Sequence, residues 1–123
     1  MNDVSDLLPA TTHLGRSVLT VEDEGAMLAF YRDVVGLVVL LRDDSRTVLG
    51  TGETPLLELR GDEPEGARPP AAAGLFHNAF EVGSRKALGD TLARIQDHWE
   101  LTGASDHGVS EALYCTDPEG NGV

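Results

Sequence analysis

Few side chains in this sequence are suited to acid–base, nucleophilic or metal chemistry, and they are scattered. The histidines are His13, His77, His98 and His107, and Cys115 is the one cysteine. His107 lies in the polar run Ser105-Asp106-His107-Gly108. It could move a proton only with a substrate within hydrogen-bond reach, and it reads as a loop histidine that orders its neighbours. His13 and His98 read as solvent-facing. His77, in the β-favouring run Leu75 to Val82, offers a ring nitrogen to a metal or to a hydrogen bond inside a cleft, and the hydrogen-bonded role is the expectation. Glu58 alternates with Leu57 and Leu59, which puts its carboxylate on the opposite strand face from both leucines, either facing a cleft or as a solvated strand residue. The acidic clusters Asp43, Asp44, Asp62, Glu63 and Glu65 lack the alternating oxygen ligands of a calcium loop and read as solvated surface. The sequence has no nucleophilic-serine elbow, phosphate-binding glycine loop or paired-cysteine zinc motif.

The elements that must position these residues follow from hydrophobic period and turn chemistry. Ser17 to Val21 reads as a strand, and Asp23 as the N-cap of a helix whose apolar face is Met27, Phe30, Tyr31 and Val34. Gly36 fits the left-handed position that ends such a helix. Three strands are predicted next, over Leu37 to Leu41, Thr47 to Leu49 and Pro55 to Leu59. Residues 61–74 have no apolar period and read as a linker. The pattern then restarts with a strand over Leu75 to Val82 and an N-cap at Ser84. A second helix follows with the stripe Leu88, Leu92, Ile95 and Trp99, then strands near Leu101 to Thr102 and Ala112 to Thr116. Setting Val21 against Val82 lays Arg16 on His77, so one copy of the first strand carries a potential ligand and the other an arginine. The predicted fold is α+β: two tandem βαβββ units pairing into one cleft-forming module, with the last strand truncated at Val123. Its parts are a leader (1–14), a first unit (15–60), the linker (61–74) and an incomplete second unit (75–123).

Bulk properties exclude several function classes. The 123 residues suit one domain. A formal charge of −12, from 21 acidic and 9 basic residues, opposes nucleic acid or an anionic membrane as a partner, since both demand a basic face. Lys86 is the only lysine, and an acidic, lysine-poor surface suggests a halophilic cytoplasm. A lone cysteine allows no internal disulfide and fits a reducing compartment. The first residues lack the charge and apolar run of a signal peptide, and no apolar stretch is long enough to span a membrane.

The stretches GRSVLTVEDEGAMLAFYRDVVGL, LFHNAFEV and SDHGVSEALYCTDPEGNGV, in that order, resemble the vicinal oxygen chelate superfamily of glyoxalases, bleomycin resistance proteins and extradiol dioxygenases. The resemblance covers residues 15–123 and is nearest to the first module of catechol 2,3-dioxygenase-like proteins. It implies metal-ligand positions at Arg16, Glu58 and His77, with a fourth, a carboxylate, falling after Val123. Such sets leave open positions on Fe(II), or on the divalent metal of glyoxalase-type isomerases. A guanidinium has no lone pair to offer a metal. Arg16 either binds an anionic substrate or pairs with Glu58, and the pair is preferred because each charge lowers the cost of burying the other.

The implied parent reaction is Fe(II)- and oxygen-dependent cleavage of a catecholic ring. This chain is read as its metal-free, structural N-terminal module, inactive alone and without a cofactor of its own. Its expected partners are a second module of the same protein or a homodimer partner, and an aromatic small molecule. The alternatives are a glyoxalase-type isomerase or lyase completed by further residues or a dimer partner, and a metal-free binding protein for small molecules.

Overall fold

The computed structural model describes residues 7–61, 77–108 and 110–123. Strand β1 (Ser17–Thr20) leads into helix α1 (Glu24–Ala29). Asp23 caps α1 by accepting the Ala26 amide at 3.0 Å, which satisfies one of the donors a helix leaves open at its start. The helix does not run on unchanged to Gly36 as the period predicts: it widens into a π-helical segment over Phe30–Val35. Gly36 then ends it at φ 95°, and the Gly36 and Leu37 amides both return to the Tyr31 carbonyl. The predicted face is nonetheless the buried one, since Met27, Phe30, Tyr31 and Val34 are all at most 4 % exposed.

Strands β2 (Val38–Arg42), β3 (Arg46–Thr51) and β4 (Thr54–Arg60) complete a four-stranded sheet in the order β1-β4-β3-β2. β1 runs parallel to β4, and the other pairs are antiparallel. Leu57 and Leu59 of β4, Leu49 of β3 and Leu19 of β1 pack with the helical face into the core. Gly50 is obligatory at the β3–β4 irregularity, because a Cβ there would lie 1.9 Å from the Thr54 carbonyl oxygen. β2 lies at the sheet edge, where Val38, Val39 and Leu41 are 38–47 % exposed.

The segment predicted as a linker lies, apart from Gly61, outside the described residues; after it, α2 (Arg85–His98) starts at Ser84, whose hydroxyl accepts the Ala87 amide at 3.1 Å. Ile95 is buried, Leu88 and Leu92 are half-buried, and Trp99 is the extended residue that ends the helix instead of its last stripe position. Arg94 crosses to the end of the first helix and donates to the Val34 and Val35 carbonyls at 3.1 Å. Strands β5 (Gly103–Asp106) and β6 (Glu111–Tyr114) pair as a hairpin.

Two expectations change here. The sixth predicted strand starts after Leu101 and Thr102, and Ser105 and Asp106 belong to it, so the loop around His107 is only the turn between β5 and β6. The strand predicted over Leu75 to Val82 is, among its described residues, a single parallel bridge from His77 to Gly122. The physical reason is the ladder: among the described residues its bridge partner is Gly122, to whose carbonyl the Asn78 backbone amide donates at 2.9 Å. Among the described residues no helix is long and apolar enough to cross a membrane. The molecule is a mixed α+β fold.

Candidate functional site

Glu58 sits at the centre of the sheet face turned away from the helices. Its cross-strand neighbours are Val18 on β1 and Val48 on β3. The alternation of β4, which sends Leu57 and Leu59 into the core, sends Glu58 the other way. Its side chain is only 1 % exposed, so it is not the solvated strand residue that the sequence equally allowed. A carboxylate so placed is costly unless paired, and arginines from three segments meet it. Arg46 donates through Nη1 to Oε1 at 3.2 Å, Arg16 Nη1 lies 3.6 Å from the same oxygen, and Arg60 donates through Nε to Oε2. The preferred pairing of Arg16 with Glu58 is thus present, within a larger group.

The cover over Glu58 is thin. Arg16, Arg46 and Arg60 are themselves 38 %, 34 % and 51 % exposed, so the carboxylate is shielded by long side chains near the surface and not by depth. Burial acts to raise its pKa, but the hydrogen bond from Arg60 and the charges of Arg60, Arg16 and Arg46 outweigh burial and hold it below the ordinary carboxylate range. Arg46 and Arg60 are direct cross-strand partners, a like-charge juxtaposition that destabilises a sheet unless a carboxylate lies between them, as Glu58 does. Arg46 is also 3.8 Å from Asp43, whose carboxylate accepts from Ser45 and from the Arg46 amide.

His77 is exposed and held by the bridge to Gly122. Beside it, Ser17 donates to Asn78 Oδ1 at 2.9 Å, which links the start of β1 to the start of the second half and brings the segments of Arg16 and His77 side by side. The Asn78 side-chain nitrogen, Nδ2, is buried without a hydrogen-bond partner among the described residues. The donors at Arg16, Glu58 and His77 do not fit a divalent cation. One is a guanidinium, one is a carboxylate already accepting from guanidiniums, and among the described residues no group of three or more His, Cys, Asp or Glu side chains is placed to hold a metal.

A second buried polar centre was not singled out in the sequence. Asp117, 3 % exposed, accepts from the Tyr31 hydroxyl at 2.8 Å, from the Asn121 side chain at 2.9 Å and from the Glu119 and Asn121 amides. Burial first, and then the hydrogen bond to Asp117, push the Tyr31 phenol above its ordinary value. Glu119 in the same turn accepts the Glu22 and Asp23 amides at 3.0–3.1 Å. The run Asp117-Pro118-Glu119-Gly120-Asn121 signals a turn; its role as a clamp on α1 needs the tertiary fold. His13 and His98 are exposed, as expected, and His107 is an exposed residue of the β5–β6 turn; Cys115 is buried, with burial and then Asp117 raising its thiol.

Comparison with known proteins gives three kinds of likeness. The profile of the Glyoxalase/Bleomycin resistance protein/Dioxygenase superfamily matches residues 12–123. Two curated relatives are the catechol-2,3-dioxygenase of Bacillus subtilis (strain 168), 38 % identical over 114 residues, and biphenyl-2,3-diol 1,2-dioxygenase 3 of Rhodococcus globerulus, 32 % identical over 120 residues. The matches cover 91 % and 94 % of this chain but only 40 % and 63 % of those relatives. Among solved structures, a lactoylglutathione lyase from Agrobacterium tumefaciens superimposes with a TM-score of 0.72 at 23 % identity, covering 94 % of this chain and 92 % of that one. A glyoxylase/bleomycin resistance protein/dioxygenase domain from Frankia sp. EAN1pec gives 0.67 at 19 % identity, covering 92 % and 94 %. At such identities the likeness to solved structures establishes the fold alone.

Proposed function

The chain belongs to the glyoxalase/bleomycin resistance protein/dioxygenase superfamily, and we propose that it serves as a metal-free, structural module of an extradiol ring-cleaving dioxygenase-like protein. The two curated relatives are named as dioxygenases of vicinal diols, which supports a catecholic substrate, with Fe(II) and oxygen, for the parent activity. The iron then belongs to a second module of the same protein or to an equivalent subunit. A single observation carries the division of labour: the carboxylate at the family's ligand position, Glu58, has its lone pairs turned to Arg16, Arg46 and Arg60. A cation entering there would have to displace guanidiniums and then sit among them.

The chemistry of this module is therefore positional: it fixes one wall of a cleft and holds charge in place. The buried lone cysteine suits a reducing cytoplasm. Anaerobic titration with Fe(II), followed by desalting and metal analysis, tests the reading on this chain. Retention far below one equivalent, with no ring cleavage of catechol, is expected. One tightly held iron per chain with turnover would overturn it.

A further inference from the structure

The arginine group does more than neutralise Glu58. Arg60 uses only Nε on Glu58, and Arg46 uses Nη1 there while its Nε lies by Asp43. Among the described residues, the remaining Nη atoms of Arg60 and Nη2 of Arg46 have no hydrogen-bond acceptor, although the β3–β4 register sets the two arginines directly opposite one another. A polar cavity of about 410 Å3 opens on them, lined by Asp43, Ser45, Arg46 and Arg60. Three guanidiniums against Glu58 and Asp43 leave one net positive charge here, on a chain of net −12. Asp43 is the adverse neighbour, but its carboxylate is already engaged by the Ser45 amide and hydroxyl and by the Arg46 amide.

We propose that Arg46 and Arg60, both bound to Glu58, form a receptor for the carboxylate of a small organic acid. A guanidinium fork matches a carboxylate in a planar, two-point geometry. On the same sheet face Val18 pairs with Glu58, two residues from Arg60, and Leu41 pairs with Val48, two residues from Arg46. Val48 is buried, but Val18 and Leu41 are 49 % and 43 % exposed, so an exposed apolar side chain flanks each arginine, and the body of an organic acid could cover one of them where a bare oxyanion could not. Glu58 acts here as a positioning residue. Its negative charge keeps the two like-charged arginines together, and their outer edges receive the ligand.

The site shares Glu58 with the metal-free reading, so the test has separate arms. Benzoate, benzamide of nearly the same shape without the charge, and inorganic phosphate are titrated into the full chain, followed by amide resonances of Arg46 and Arg60 and by arginine Nε–H resonances. Saturable shifts with benzoate alone are expected. Replacing Arg46→Gln should weaken binding at least about tenfold, the loss of one charge-assisted hydrogen bond, whereas Lys86→Gln, in the surface pair with Asp90, should leave it unchanged. Arg60→Gln and Arg46→Lys, with melting curves for each variant, separate lost binding from lost folding. No saturation by benzoate, equal response to benzamide, or a response to phosphate alone overturns the proposal. A chain that binds neither benzoate nor Fe(II) defeats the receptor only; one that binds Fe(II) in place of benzoate defeats the metal-free reading as well.

Discussion

At the scale of the residue, Glu58 and Asp117 show two ways of keeping a carboxylate out of water. Asp117 is satisfied by neutral donors, Tyr31, Asn121 and backbone amides; Glu58 is satisfied by charge. Replacing Glu58→Gln therefore leaves three guanidiniums facing one another. A loss of about 1–3 kcal/mol is expected by urea denaturation, less than for a deep ion pair because the arginines are partly solvated. Replacing Tyr31→Phe removes one bond to Asp117 and should cost about 1–2 kcal/mol in the same assay. The pH dependence has a definite sign. Because the folded Glu58 carboxyl lies below its ordinary value, its contribution is complete above the unfolded pKa of about 4.3. It is lost as pH falls through the folded value. The acid limb of stability should accordingly flatten in Glu58→Gln, and an unchanged acid limb would contradict the arginine pairing.

At the scale of the element, the helix end near Gly36 carries two constraints at once. Its φ of 95° suits glycine, and an added Cβ would lie 2.8 Å from Arg94 Nη2, the group that caps the helix carbonyls. Gly36→Ala should destabilise by about 1–2 kcal/mol, measurable as a lowered melting temperature. This arrangement also shows what was legible beforehand. The period of Met27, Phe30, Tyr31 and Val34 and the caps Asp23, Ser84 and Gly36 are local signals, and each lies where expected. Arg94 was not legible, because its partners are carbonyls some 60 residues away in sequence. The ring around Glu58 was only half legible for a similar reason. The alternation of Leu57, Glu58 and Leu59 gave its facing, but Arg46 reaches it through a β3–β4 register that shifts at Gly50. The strand predicted over Leu75 to Val82 is, over its described residues 77–82, only a single bridge, because a β-favouring run forms a ladder only where a neighbour offers one.

At the scale of the whole molecule, charge and connectivity dominate. If −12 is a halophilic adaptation, the melting temperature should rise from low to molar sodium chloride, where the screening length falls to roughly 3 Å; a flat or falling curve would remove that reading. The Tyr31–Asp117 bond, finally, joins residues 86 positions apart, and this has a consequence in time. A ribosome adds roughly 5–20 residues per second, so on the order of 4–17 s separate the synthesis of the phenol from that of its acceptor. Through that interval α1 and its sheet exist without the turn that clamps them, and without Ile95 and Cys115, which complete the same core. The nascent first half is thus the stage at which this chain most needs protection from aggregation.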